Sequence, residues 1–106
     1  MDLSIIIVNY CTPQLVIDCI SSFYRNNQRV QFEVLVVDNA SEDNSKDLIT
    51  KASPSVCWVQ MDYNSGFARA NNVGIKQAKA DTVLLLNSDT LDLYNTIENC
   101  YLEFSK

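Results

Sequence analysis

The residues of this chain that are best suited to chemistry stand directly after short apolar segments. In the clearest case, the apolar residues 83–86 lead into the carboxylate-bearing turn Asn87-Ser88-Asp89. A short apolar run bounded by turn residues is typical of a strand buried on both faces, as in a parallel sheet covered by helices. Ligands of such sheets bind beyond the carboxyl ends of the strands. We therefore expect Asp89 to lie where a ligand, or a metal ion that carries one, would bind.

Three other apolar segments end in a similar way. Asn9-Tyr10 follow the first, Asp38-Asn39 the second, and Asp62 with Asn64 the third. The carboxyl ends of parallel strands share one edge, so these carboxylates and amides would surround a single crevice. Each group alone also has an ordinary explanation as a turn or helix cap. Their coincidence at all four ends favours a binding site.

Several classes of site are disfavoured by composition. The chain has no His and its four cysteines show no C-x-x-C spacing, so a zinc site is not expected and the thiols should be reduced and mostly buried. The net charge of −5 and the absence of a basic run argue against nucleic-acid binding. The two glycines form no dinucleotide fingerprint or P-loop, so a bound diphosphate would need another counter-charge. A divalent cation held by Asp89 would supply it, since hard cations take oxygen ligands.

The elements that must position these groups form four strand–helix units within one domain. We predict strands at 3–8, 32–37, 56–61 and 82–86, and helices at 13–28, 41–52, 67–79 and 91–104. This alternation predicts an α/β fold with a parallel sheet and right-handed crossovers. No apolar run approaches the ~20 residues that span a bilayer, and the first residues lack a basic signal region, so we expect a cytoplasmic protein.

Four motifs occur in order along the chain: SIIIVNY at 4–10, VVDNAS at 36–41, NSGFA with ANNVG at 64–74, and LLLNSDT at 84–90. With them the chain resembles the amino-terminal half of family 2 glycosyltransferases of the GT-A fold, most of all their rhamnosyltransferase-like branch. The resemblance covers residues 1–106. Each motif alone is weak, but four in order at natural spacing make a strong signal.

The resemblance implies a three-layer α/β/α fold whose mainly parallel four-stranded sheet has the order 3-2-1-4. It also implies that residues 1–106 are the donor-binding half of a GT-A domain that takes a nucleotide-diphosphate sugar, a dTDP- or UDP-sugar, together with Mg²⁺ or Mn²⁺. The sugar would pass to a glycan or lipid-linked acceptor in polysaccharide biosynthesis. The complete enzyme would work in the cytoplasm or at the inner membrane face.

Roles for single residues follow from the same resemblance. Asn9 and Tyr10 would line the nucleotide pocket, and Asp38 would accept a hydrogen bond from the ring N–H of uracil or thymine. Further donor contacts and the metal ligand lie in the later motifs, at Asn64, Asn71, Asn87, Ser88 and, for the metal, Asp89. Two positions depart from the family pattern: Asn87 replaces the first carboxylate of the D-x-D motif, and Asn71 stands where many members carry Arg.

The catalytic base has no candidate in this chain. Family members continue beyond the last predicted helix, and that part supplies the acceptor site and the Asp or Glu that deprotonates the acceptor in an inverting transfer. We therefore expect this chain alone to be inactive. Its fourth strand would form an apolar sheet edge, which predicts self-association.

Two other functions stay open. A non-catalytic nucleotide-binding or scaffold module could share this fold. A receiver-like signalling domain would suit the size, but it needs an acidic pair after the first strand, where this chain has Asn9-Tyr10.

Overall fold

The computed structural model of the chain describes residues 2–26 and 31–86. Strands and helices alternate along it, and the bounds are β1 (Leu3–Asn9), α1 (Pro13–Asn26), β2 (Phe32–Asp38), α2 (Ser45–Ala52), β3 (Cys57–Gln60), α3 (Phe67–Gln77) and β4 (Val83–Leu86). The predicted helix at 91–104 and the motif at 87–89 lie outside the described residues. No helix within the described ranges is long and apolar enough to cross a membrane.

The four strands form one parallel sheet with the order β3-β2-β1-β4. This confirms the α/β/α fold and the strand order that the family resemblance implies. Strands β1 and β2 each extend one residue beyond the predicted end, so Asn9 and Asp38 are themselves ladder residues. They pair with each other in the parallel register. Two polar residues are thus fixed side by side at the carboxyl edge of the sheet.

The core lies on both faces of the sheet because successive residues of β1 point in opposite directions. Ile5 and Ile7 pack with the apolar stripe of α1 and with Ile49 of α2. Ile6 and Val8 pack on the other face, where α3 contributes Ala70. Every residue of β1 is buried, as expected for a central strand covered by two helical layers.

Helix α3 lies close to the sheet because position 74 has no side chain. A Cβ atom at Gly74 would stand 2.7 Å from Cγ2 of Ile6 and 3.1 Å from Cγ2 of Val37. The small residues Ala70 and Gly74 are buried on this face and allow the close approach. The close packing fixes where the first turns of α3 stand relative to the strand ends.

Two predictions were wrong in detail. Helix α2 begins at Ser45, not Ser41, because Ser41 bonds to Asp38 and three further loop residues precede the helix. The thiols were expected to be mostly buried, but Cys11 and Cys57 are exposed, since Cys11 lies in the loop after β1 and Cys57 starts an outer strand of the described sheet.

Candidate functional site

Three strand ends meet at the carboxyl edge of the sheet. The register places Asn9 beside Asp38, and Asp38 beside Gln60. The backbone continues the contact, since the N–H of Asn39 donates to the carbonyl of Asn9 and that of Met61 to the carbonyl of Asp38. The gathering of polar residues that the sequence predicted at this edge is therefore present for β1, β2 and β3.

Asp38 is the centre of a buried hydrogen-bond network. Its Oδ1 accepts from Nδ2 of Asn9 at 2.8 Å and from the hydroxyl of Ser41 at 2.7 Å. Its Oδ2 accepts from the backbone N–H of Ser41 and from Nε2 of Gln60, both at 3.0 Å. The carboxylate is only 2% exposed. Each carboxylate oxygen already accepts two hydrogen bonds. A ligand group that binds Asp38 must therefore replace one of these four bonds or become a third donor to the same oxygen.

Asn9 is engaged on both ends of its amide. Besides the bond to Asp38, its Oδ1 accepts from the backbone N–H and the hydroxyl of Thr12, both at 3.3 Å. Its side chain is fully buried. Asn9 thus ties the end of β1 to the start of α1 and to β2. This geometry directly supports a structural role for Asn9 at the carboxyl edge of the sheet.

A second network fixes the loop between β3 and α3. Nδ2 of Asn39 donates to Oδ1 of Asn64 at 2.8 Å, and Oδ1 of Asn39 accepts from the backbone N–H of Ser65 at 2.9 Å. Oδ1 of Asn64 also accepts from the N–H of Gly66, the residue before α3. Asn64 therefore lies at the predicted edge, and its side-chain Oδ1 accepts both of these hydrogen bonds.

Three supporting residues, Asn39, Ser41 and Gln60, were given no individual role by the sequence. Asn39 and Ser41 lie within the motif VVDNAS. Their closeness to Asp38 in the sequence is the one signal that could have indicated their role. Gln60 carries no motif, and only the strand register, which the sequence does not determine, places it opposite Asp38. Trp58 extends this network, because its Nε1 donates to Oε1 of Gln60 at 3.0 Å.

The accessible groups at this edge include three aromatic rings beside the exposed polar residues Asp62 and Asn64. Tyr10 is 50% exposed, and Tyr63 and Phe67 in and after the β3–α3 loop are similarly exposed. Exposed rings can stack on a planar base without displacing any internal hydrogen bond. Tyr10, a predicted pocket residue, is thus available to a ligand in a way that Asn9 and Asp38 are not.

Asn71 differs from the other predicted residues. It is 5% exposed on the inner face of α3, and its Oδ1 has no hydrogen-bond partner. The remaining predicted residues, Asn87, Ser88 and Asp89, lie outside the described residues. Within residues 2–26 and 31–86 no group of three or more potential metal ligands comes together.

Comparisons with known proteins agree with this fold. The sequence model of Glycosyl transferase family 2 matches residues 4–106. The glycosyltransferase GlyG of Streptococcus pneumoniae is 26% identical over 102 residues, which cover 93% of this chain and 34% of GlyG. The chain therefore spans about a third of the length of that relative.

Solved structures give the same picture. S. aureus TarS 1–349 in complex with UDP superposes with a TM-score of 0.84 at 25% identity, over 99% of this chain and 32% of that one. TarS 1–349 has also been solved with UDP-GlcNAc. The mannosyltransferase PcManGT from Pyrobaculum calidifontis, solved with GDP-Man and Mn²⁺, shares the fold with a TM-score of 0.76 at 24% identity, over 85% of this chain and 28% of that one.

Proposed function

This chain belongs to glycosyl transferase family 2, and we propose that it binds a nucleotide-diphosphate sugar at the carboxyl edge of its sheet. The observation that carries the proposal is the buried network around Asp38, which joins the ends of β1, β2 and β3 into one rigid rim. A rim fixed before the ligand arrives lowers the ordering cost of binding. The likeness to TarS, a protein solved with UDP, supports a uridine or thymidine nucleotide.

The proposed donor site has an inner frame and an outer contact layer. Asn9 and Asp38 belong to the frame because their polar atoms bond to the chain itself, and the exposed Asn64 belongs to it through its Oδ1 alone. Tyr10 belongs to the contact layer because half of its surface is open. In this arrangement Asp38 orients the pocket, and a direct bond from the base N–H to Asp38 would require a rearrangement of the frame.

A divalent cation, Mg²⁺ or Mn²⁺, suits this site on charge grounds. A nucleotide diphosphate carries negative charge, and the frame residues that surround Asp38 at this edge are neutral amides and hydroxyls. Strand β4 ends at Leu86 beside Ile7 of β1, so the chain leaves β4 at the same edge, three residues before Asp89. We propose that Asp89 holds the cation and that Asn87 and Ser88 face the ribose and sugar. When bound, the cation would neutralise charge on the departing diphosphate.

The chemical step that we propose is an inverting sugar transfer to a glycan or lipid-linked acceptor. It requires a base that deprotonates the acceptor hydroxyl. The carboxylate of Asp38 cannot serve, because it is buried and all its hydrogen bonds are internal. We assign the base and the acceptor site to parts of the enzyme other than this chain, which alone is then inactive. The exposed free thiols Cys11 and Cys57 suit a reducing compartment such as the cytoplasm.

Calorimetric titration tests the proposal. UDP and dTDP are titrated into the 106-residue chain with and without Mn²⁺, and then into Asp89→Ala and the control Asp81→Ala. We expect Mn²⁺-dependent binding by the parent and by Asp81→Ala, and its loss in Asp89→Ala. A folded parent chain that binds neither nucleotide would refute the proposal and favour a scaffold role for this fold.

A further inference from the structure

A pocket of about 380 Å³ lies at the end of the sheet opposite the proposed donor site. It is bounded by the last turn of α1, which contains Arg25, and by the segment after α2, which begins at Ser53. The ring of Tyr24 in its wall packs against Phe32, the first residue of β2, with 5.1 Å between the ring centroids. The pocket is therefore beside the amino ends of the strands. Because β1 has seven residues, about 20 Å separates it from the carboxyl edge.

The polar groups that line this pocket have hydrogen-bonding capacity to spare. The exposed side chain of Arg25 makes no hydrogen bond or ion pair with another of the described residues, and neither does the exposed hydroxyl of Ser21. The hydroxyls of Tyr24 and Ser55 lie 3.2 Å apart, and only one of the two protons is used in the bond between them. A ligand can thus bind these groups without breaking an internal hydrogen bond.

The charge and shape of the pocket favour a neutral ligand that carries hydroxyl groups. Helices α1 and α2 both end at the pocket, and the last carbonyls of a helix carry partial negative charge. These carbonyls disfavour a phosphate or carboxylate, and they accept hydrogen bonds from hydroxyls. The ring of Tyr24 and the side chain of Pro54 provide apolar surface for the C–H face of a sugar ring. The volume lies within the range of small-molecule sites.

We propose that this pocket is a second saccharide-binding site, which takes part of a neutral oligosaccharide. Arg25 donates to sugar hydroxyls, and the hydroxyl of Ser21 both donates to them and accepts from them. The inference goes beyond the proposed function and does not depend on it, because no residue of the carboxyl edge takes part. A sugar in this pocket is too far from that edge to react there. The pocket therefore binds a remote part of a glycan and not the group that is transferred.

A map of amide chemical-shift changes in the isotopically labelled chain tests this site. The probes are two neutral oligosaccharides, chitotetraose and maltotetraose, and sodium phosphate is the anionic comparison. We expect at least one oligosaccharide to shift the amides that line the pocket, and phosphate to leave them unchanged. These amides belong to Ser21, Tyr24, Arg25, Ser53 and Ser55.

The variant Arg25→Ala tests whether the pocket itself holds the oligosaccharide. It removes a charged donor, so we expect the Kd of the oligosaccharide to rise about 10-fold. Lys76→Ala is the matched control, because Lys76 is likewise the basic residue in the last turn of its helix, α3, on the other face of the sheet. It should leave the Kd unchanged. Both side chains are exposed, so both variants should fold like the parent.

Three results would overturn the proposal: no shift at the pocket with either oligosaccharide, a Kd for Arg25→Ala equal to that of the parent, or an equal loss of affinity in both variants. Shifts at the pocket with phosphate alone would also overturn it, since they would identify an anion site. The donor site is tested separately with UDP. A chain that binds an oligosaccharide here but no UDP would refute the proposed function and support this second site.

Discussion

Asn9 and Asp38 lie side by side at the ends of two adjacent strands, and Nδ2 of Asn9 donates a 2.8 Å hydrogen bond to Oδ1 of Asp38. Each side chain then reaches in the opposite direction, Asn9 to Thr12 before α1 and Asp38 to Gln60 at the end of β3. This pair joins three strands and a helix start. The shape of the carboxyl edge is therefore set by buried polar contacts as well as by apolar packing.

Removal of the central carboxylate should destabilise the fold strongly. Asp38→Ala removes the acceptor of the Ser41 N–H and leaves the buried amide of Asn9 only its longer 3.4 Å bond to the Ser41 hydroxyl, so we expect a loss of about 2–4 kcal/mol in the free energy of unfolding. Urea unfolding measures this loss as a lower midpoint concentration, provided that the dependence of the unfolding free energy on urea concentration stays the same. The exposed Asp81→Ala is the control and should stay within about 0.5 kcal/mol of the parent. A loss for Asp38→Ala as small as for the control would mean that the network does not hold the edge together.

The turn after Asp38 contains a strained alanine. Ala40 has φ of +63°, in the left-handed region that costs a residue with a Cβ roughly 1–2 kcal/mol. Ala40→Gly should relieve this strain and raise the free energy of unfolding by about 0.5–1 kcal/mol after the greater flexibility of the unfolded chain is included. The same substitution at Ala68, an exposed helical position, should lower it instead. Equal effects of both substitutions on the melting temperature would contradict the assigned backbone strain.

The close approach of α3 to the sheet gives a steric prediction. Gly74→Ala places a Cβ 2.7 Å from Ile6, and the repacking should cost about 1–3 kcal/mol despite the better helix propensity of alanine. Gly66→Ala meets no atom within 4 Å but has φ of +87°, so its cost should come from the backbone alone.

The variants Gly74→Ala and Gly66→Ala together separate the stability lost through steric overlap from the stability lost through an unfavourable backbone conformation. Shortening the neighbour with Ile6→Ala should recover part of the stability lost in Gly74→Ala, in a double-mutant cycle by denaturant unfolding. It should recover nothing for Gly66→Ala. Strict additivity of Ile6→Ala with Gly74→Ala would show that α3 does not press on Ile6.

We expect self-association through the outer strand β4, because an apolar edge strand can pair with the edge of another copy. It pairs with β1 in the described sheet, and Leu85 is 46% exposed on it. We propose that two copies of the chain associate along this strand, and that Leu85→Lys prevents it because a charge on an edge strand disfavours pairing. Light scattering over a concentration series should show a rising mass for the parent and a monomer for Leu85→Lys. A parent that stays monomeric at high concentration would exclude this interface.

The sequence predicted the elements well because their signals are local. The apolar runs, the turn residues and Thr12-Pro13, a favourable start for the helix predicted at 13–28, each act within a few positions. Among the described residues, all four predicted strands and the helices predicted at 13–28 and 67–79 match the structure within about two residues. The strand order followed from the family resemblance and not from the residues. The sequence could not show which polar groups at the edge bond to the chain itself and which remain available to a ligand. Whether Asp38 faces a ligand or its own neighbours depends on the register of β2 with β3, which brings Gln60 to it.

The start of α2 shows the same limit. Ser41 is the first residue of the predicted helix at 41–52, and it has the residue type and the following acidic residues of a helix N-cap. In the structure its hydroxyl and N–H both bond to Asp38, three residues earlier, and the helix starts at Ser45. These bonds to Asp38, together with the N–H of Cys11 that donates to the Ser41 hydroxyl across the sheet edge, outweigh a capping preference that is worth about 1 kcal/mol.

The most direct test of the central claim is a map of amide chemical-shift changes when UDP and Mg²⁺ are added to the isotopically labelled chain. We predict that the shifted amides cluster at the carboxyl edge, at Tyr10, Asn39, Ser41, the 62–67 loop and Asn71. The amides of Lys79 and Ala80 at the opposite edge, where Glu33 and Ser4 bind them, should stay unchanged. Shifts confined to that opposite edge, or spread evenly over both, would contradict a nucleotide-sugar site built on the ends of β1, β2 and β3.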